Sequence, residues 1–438
     1  CIRDSRWVVS CVGIAIVGLV VSCSPPGPEI DEKLPADVAP ADTPALMVHY
    51  ENAIKAGSTE DWAAARDAFL AGIEIAPNAP VLHLHTARTF ARLGDWDSCR
   101  EHLETVIGLG GTADLTADEA FASMVDQPGF KDLVASLSAN GEPHPAAEIV
   151  HRFADAELWP EGVAVDAETG DIYIGSIHRR VIHRLTPDGR LEVVGSPAED
   201  GLMEVIGIWV DAPRRALWAV TGEGEWREPD DSAPRRNELV RYDLAANRID
   251  GRWEIPDDEM RLLNDVVVGP DGSAWATESL RGEVFKVNPE GDLEIFARFP
   301  ELVFLNGIAI DDDGKSLYLG HFAGLSVVFP IDRTVKPVRG RDMALGMVDG
   351  LSWADNRLVI VQNNPRVNFR VVRADLGAGG QTAERLEVLP SGLPEGLIPY
   401  TSAIDDDTVI VVAAAPFDLM YRGEVPPPPV VVRFPLTP

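Results

Sequence analysis

The stretch "FLNGIAIDDDG", Phe304 to Gly314, admits two readings. Asn-Gly is a strong signal for a two-residue hairpin turn, because both residues tolerate positive φ. Yet "GIAI" follows directly and reads as a buried strand, and "DDDG" then reads as the turn that ends it. Two turns so close together would leave almost no strand between them. If "DDDG" is the turn, Asn306 stands at the mouth of an apolar strand, and its side chain needs another reason to be there.

The pattern around Asn306 recurs. It reads "PEGVAVDAETGDIYIGS", "VIGIWVDAPRRALWAVT", "LNDVVVGPDGSAWATES", "LNGIAIDDDGKSLYLGH", "VDGLSWADNRLVIVQN" and "YTSAIDDDTVIVVAA". Each copy is a short apolar strand, an acidic or glycine turn, and a second apolar strand. Aligned at Gly162, Gly207, Asp265, Gly307, Gly350 and Ser402, successive copies lie 45, 58, 42, 43 and 52 residues apart. A period in this range predicts a mainly β fold, a six-bladed β-propeller over residues 145–438. The ring closes through either the final "PPPPVVVRFPLTP" or the early "AEIVHRFADA".

In each copy the residue before the aligned position starts the innermost strand, where a propeller brings its blades together. These residues are Glu161, Ile206, Asn264, Asn306, Asp349 and Thr401. Glu161, Asn264, Asn306 and Asp349 are hard oxygen donors in strands otherwise rich in Val, Ile and Leu. The set suits Ca²⁺ or another hard divalent ion, and suits zinc or copper poorly. Two carboxylates converging without a cation would repel, and one would take up a proton.

"WPEGVAVD", "LLNDVVVGPDGSAWATE", the Asn306 copy and "VDGLSWADNRLVIV" together resemble the regucalcin/gluconolactonase (SMP-30-like) family of six-bladed propellers, to which diisopropyl-fluorophosphatase, the paraoxonases and the strictosidine-synthase-like proteins are related. The resemblance implies one Ca²⁺ held by Glu161, Asn264, Asn306 and Asp349. It also implies hydrolysis of a small-molecule lactone, ester or phosphotriester, with Asp349 as nucleophile or as base for a water. There are departures. Ile206 stands where paraoxonase-type lactonases have a histidine, and Leu262 fills the slot of a gluconolactonase arginine. His321, in "LYLGHFAG", is a second catalytic candidate. Asp265 is expected to hold the Asn264 amide. Asn363 and Asn364 read as a turn at the rim, and His178 and His183 as structural.

The N-terminal third differs in kind. Arg3 and Arg6 precede the apolar run Trp7–Cys23, which ends "VVSC" and is followed by a Pro/Ala/Asp-rich segment. This resembles a bacterial lipoprotein signal peptide over residues 1–22, with Cys23 lipidated and residues 23–44 a flexible tether. The expected location is extracytoplasmic, on the periplasmic side of a membrane. From 45 to 140 the period is helical. Trp62 and Trp96, Asp61 and Asp95, Ala53 and Ala87 pair at a spacing of 34, resembling tetratricopeptide repeats that recruit a peptide or protein partner. Cys99 reads as a small helix-packing residue.

The chain carries a formal net charge of −32. A surface this acidic excludes nucleic-acid binding by phosphate neutralisation and repels anionic substrates unless a cation intervenes. Two functions remain open from sequence: a calcium-dependent hydrolase, or a non-catalytic binding and scaffold lipoprotein with a structural calcium.

Overall fold

The computed structural model describes residues 44–223, 236–255, 261–364, 368–417, 419 and 425–437. Cys23, the signal segment 1–22 and all of the 23–44 tether except its last residue lie outside the described residues, as does the Asn364 side chain. Among the described residues no helix is long and apolar enough to cross a membrane. The chain divides into two compact units.

The first unit is helical: α1 (Ala45–Ser58), α2 (Trp62–Ile75), α3 (Pro80–Leu93), α4 (Trp96–Gly108) and α5 (Phe130–Asn140). Asp61 caps α2 by accepting from the Ala64 N–H, and Asp95 caps α4 in the same way from Ser98. Gly94 ends α3 in the left-handed region, with φ 77°. Ala53, Ala87, Ala65 and Cys99 are all 0% exposed, so the repeating small residues are the helix contacts. The four helices from α1 to α4 are thus consistent with helical repeats. Burial pushes the Cys99 thiol up to about 12, which keeps it protonated and inert.

This unit also holds a histidine pair. His83 Nδ1 lies 3.0 Å from His102 Nδ1, and His83 Nε2 lies 2.9 Å from the Pro77 carbonyl. Nε2 therefore carries the His83 proton, and His102 Nδ1 donates to His83 Nδ1. Burial lowers both groups, His102 to about 4, where His83 adds to the effect. An unfolded histidine titrates near pH 6.5. The pair's contribution is therefore complete above about pH 6.5 and is lost as pH falls from there towards about 4. Melting of the helical signal by far-UV circular dichroism should move down across that window. A midpoint that stays flat there would rule the effect out.

The second unit has six sheets. Their innermost strands are Pro160–Asp166, Glu204–Asp211, Leu263–Val268, Ile308–Ile310, Val348–Ala354 and Ile398–Asp405. Each packs on the next, and the sixth packs on the first, so the ring is closed and the fold is a six-bladed propeller. Both candidate closing segments take part. The sixth blade runs outward through Ile398–Asp405, Thr408–Ala414 and Val430–Pro435 to Glu148–Arg152. Its outermost strand thus comes from the start of the unit, and Glu148 pairs with Arg433 at 2.7 Å. The valines of these strands alternate between the two faces of the sheet and fill the space towards the neighbouring blade.

"DDDG" is the turn. Gly314 has φ 71° and bonds back to the Asp311 carbonyl, and Asp311 Oδ1 accepts from the Lys315 N–H at 2.7 Å. Neither Asn306 nor Gly307 has positive φ, so the hairpin reading of Asn-Gly fails.

Candidate metal centre

The mouths of the innermost strands share one irregularity. In blade 1, Pro160 pairs with Ser176 and Val163 with Ile174, so Glu161 and Gly162 together face Gly175. Ile206 and Gly207 face Val220 in the same way, and Asn264 and Asp265 face Thr277. Asp349 and Gly350 face Val361, and Tyr400 and Thr401 face Val412. In blade 4, Asn306 donates to the Gly320 carbonyl while Gly320 donates to that of Gly307. Each is a two-against-one bulge, which bends the strand and re-aims a side chain. The candidate ligands are the first residues of these bulges.

The second residue of each bulge meets the next blade. A Cβ on Gly162 would stand 2.2 Å from the Ile206 carbonyl oxygen, and one on Gly307 would stand 2.6 Å from both Asp349 O and Leu351 N. Only glycine fits there. Two blades use a polar side chain instead. Asp265 accepts from the Val266 N–H at 2.8 Å and from Ile308 N–H of blade 4 at 3.4 Å. Thr401 accepts from the Val163 N–H at 3.1 Å and donates to the Glu161 carbonyl, joining blade 6 to blade 1.

Two sequence expectations are corrected here. Asp265 does not hold the Asn264 amide, because it is turned towards blade 4; Asn264 Nδ2 donates to Ser279 Oγ at 3.2 Å. In blade 6 the axial place belongs to Tyr400 rather than Thr401, a one-residue shift. Tyr400 is 1% exposed, and its hydroxyl donates to the Ala415 carbonyl at 2.9 Å.

Around the axis, Asp349 is gripped from two sides. Asn306 Nδ2 donates to Oδ1 at 3.0 Å and Asn363 Nδ2 to Oδ2 at 2.9 Å. Asn363 is no turn residue; it lies in the second strand of blade 5 and is 6% exposed. Its N–H also holds the Met347 carbonyl at 3.0 Å. Three buried oxygens here have no protein partner: Glu161 Oε2, Asn306 Oδ1 and Asn363 Oδ1. Each such acceptor costs about 1–3 kcal/mol if nothing meets it.

The charges point the same way. Burial, then Asp349, Asp265 and Glu204, raise Glu161 well above the ordinary carboxylate range. Desolvation pushes Asp265 up to about 7. It pushes Asp349 up to about 6 against the pull of the Asn363 and Asn306 amides. Among the described residues no group of three or more His, Cys, Asp or Glu side chains has metal-binding geometry. The set at the axis is instead mixed, carboxylates with amides, and all its donors are oxygens. That is the chemistry of a hard divalent ion.

Trp159, Phe304 and Met347 have φ of 43°, 53° and 59°. Each sits two residues before Glu161, Asn306 or Asp349. Left-handed backbone at bulky residues costs roughly 1–3 kcal/mol each and clusters at functional sites. His321 follows the second strand of blade 4 and is buried, with Nε2 3.2 Å from Ser326 Oγ and Nδ1 without a partner. Burial pushes it down to about 4, so it is neutral near pH 7.

Residues 159–355 match the family described as "SMP-30/Gluconolactonase/LRE-like region". No curated protein sequence matches the chain. Similar solved structures include the calcium-binding protein regucalcin from Agrobacterium tumefaciens, at 16% identity and TM-score 0.45, covering 66% of this chain and 95% of that one. A gluconolactonase from Xanthomonas campestris follows at 17% and 0.44, covering 67% and 97%. A luciferin-regenerating enzyme is similar at 14% and 0.46, covering 67% and 96%. The part of this chain that is similar to that family, residues 159–355, contains Glu161, Asn264, Asn306 and Asp349.

Proposed function

We propose that the propeller is a gluconolactonase-type hydrolase that uses Ca²⁺, or another hard divalent ion, on a small-molecule lactone, ester or phosphotriester. The observation that carries this reading is the trio of buried, unpartnered oxygens beside the Asp349 carboxylate. Glu161, Asn264, Asn306 and Asp349 would hold the ion. When bound, such an ion polarises a carbonyl or phosphoryl oxygen and offsets the acidic field of the protein. Asp349 would take the proton of the attacking water, or attack itself. Without the ion, burial pushes its pKa up to about 6; a bound cation would lower it and keep the carboxylate ionised near neutral pH. The Asn306 and Asn363 amides fix its orientation.

The protein would act outside the cytoplasm, anchored through Cys23, with the helical unit free to recruit a peptide or protein partner. Ile206, apolar at the second place of the ring, favours a second reading: a binding lipoprotein whose ion is structural. Turnover of a lactone and phosphotriester panel separates the two. The hydrolase reading expects activity that disappears in EDTA and returns with Ca²⁺. No turnover by the calcium-loaded protein on any member of the panel would leave the binding reading in its place.

A further inference from the structure

The geometry points to Asn363 as a fifth protein oxygen of the ion cage, an inference that rests on the proposed cation at the axis. Its amide has one allowed orientation. Nδ2 faces two acceptors, Asp349 Oδ2 at 2.9 Å and the Pro399 carbonyl at 3.3 Å. A flipped amide would set its oxygen against both, acceptor to acceptor. Both amide hydrogens are therefore spent, and Oδ1 is the end left over. That oxygen is fully buried and has no partner, in a residue only 6% exposed.

Asn306 repeats this arrangement from the opposite side. Its Nδ2 holds the other oxygen of Asp349, and its Oδ1 is likewise buried and unpartnered. Two amides from different blades thus clasp one carboxylate, each with its oxygen unsatisfied. Asn306 has the phase of an axial residue, whereas Asn363 comes from the second strand of blade 5, outside the six-fold series. A cation that takes six to eight oxygens accommodates both.

The test uses the full chain with Ca²⁺, and with Tb³⁺ as a luminescent substitute. In Asn363→Ala, calcium affinity by titration calorimetry should fall about 10- to 100-fold, as for other groups that place a ligand. The Tb³⁺ luminescence lifetime, compared in H₂O and D₂O, should report one more bound water than in the unsubstituted protein. Asn363→Ser, whose hydroxyl is too short to replace the amide, should give the same two changes and serves if the alanine variant does not fold. Unchanged affinity and an unchanged water count would overturn the role of Asn363 while leaving the ion in place. An unsubstituted protein that binds neither Ca²⁺ nor Tb³⁺ would overturn this inference and the cation reading together. A lower melting temperature in EDTA with normal ion binding would reduce Asn363 to a packing residue and overturn the inference as well.

Discussion

Asp349→Asn should abolish turnover and weaken Ca²⁺ binding by about 100-fold or more, beyond the range for groups that only support a ligand. The propeller should remain folded. Asp349 accepts an amide N–H at each of its oxygens, from Asn306 and from Asn363. An asparagine there can accept at one end only. Its own NH₂ would face one of the two donors, leaving a buried mismatch of about 1–3 kcal/mol. Against this, the change removes a negative charge that raises the Glu161 pKa. The two effects oppose each other in the ion-free protein, so its melting temperature in EDTA should change little. The contrast is the measurement: stability in EDTA near that of the parent, with calcium affinity and turnover lost. A variant that binds Ca²⁺ as the parent does would remove Asp349 from the site.

The second large effect lies in the backbone. Gly307→Ala should destabilise the propeller by about 3 kcal/mol or more, the top of the usual range for overpacking. The added methyl would stand 2.6 Å from Asp349 O, 2.6 Å from Leu351 N and 2.8 Å from Gly350 C. All three are main-chain atoms of the neighbouring blade, and none can swing aside as a side chain would. Relief would have to come from moving the peptide that carries Asp349, so ion affinity should fall too. Denaturant titration followed by tryptophan fluorescence reads the loss, since several tryptophans lie in the blades. Gly108→Ala is the control: at the end of α4 an added Cβ meets nothing within 4 Å, and the change should be neutral or slightly stabilising. If both variants melt alike, crowding at the axis is not what selects glycine.

Much of this was legible in the sequence because the axial oxygens share a phase. Glu161, Asn264, Asn306 and Asp349 each precede an apolar strand by the same step, and "DDDG" could be read as the true turn. The bulges were not legible, because a bulge is a property of two strands and shows only when the partner residue is known. That also explains the slip in blade 6. Thr401 and Ser402 are both small and polar, and only the pairing of Ser402 with Val411 shows that Tyr400 takes the axial place. The partner of Asn264 is not legible because Ser279 lies just past the end of the next strand, whereas Asp265 lies next to it in sequence but turns towards Ile308. The composition of "NNP" favours a turn, so the sequence alone points Asn363 to one. Its burial at the end of a strand follows from blade packing, which local composition does not encode.

The repeated bulge has a consequence for how such a centre could change over time. Because the kink is made by main-chain pairing, each blade offers one socket that does not itself dictate the side chain: Glu, Ile, Asn, Asn, Asp and Tyr fill the six sockets here. The ring is symmetric in backbone and asymmetric in chemistry. A single codon can therefore alter the charge, size or count of the groups on the axis while the framework stays intact, and Ile206 and Tyr400 are the two sockets where this chain has left that option unused.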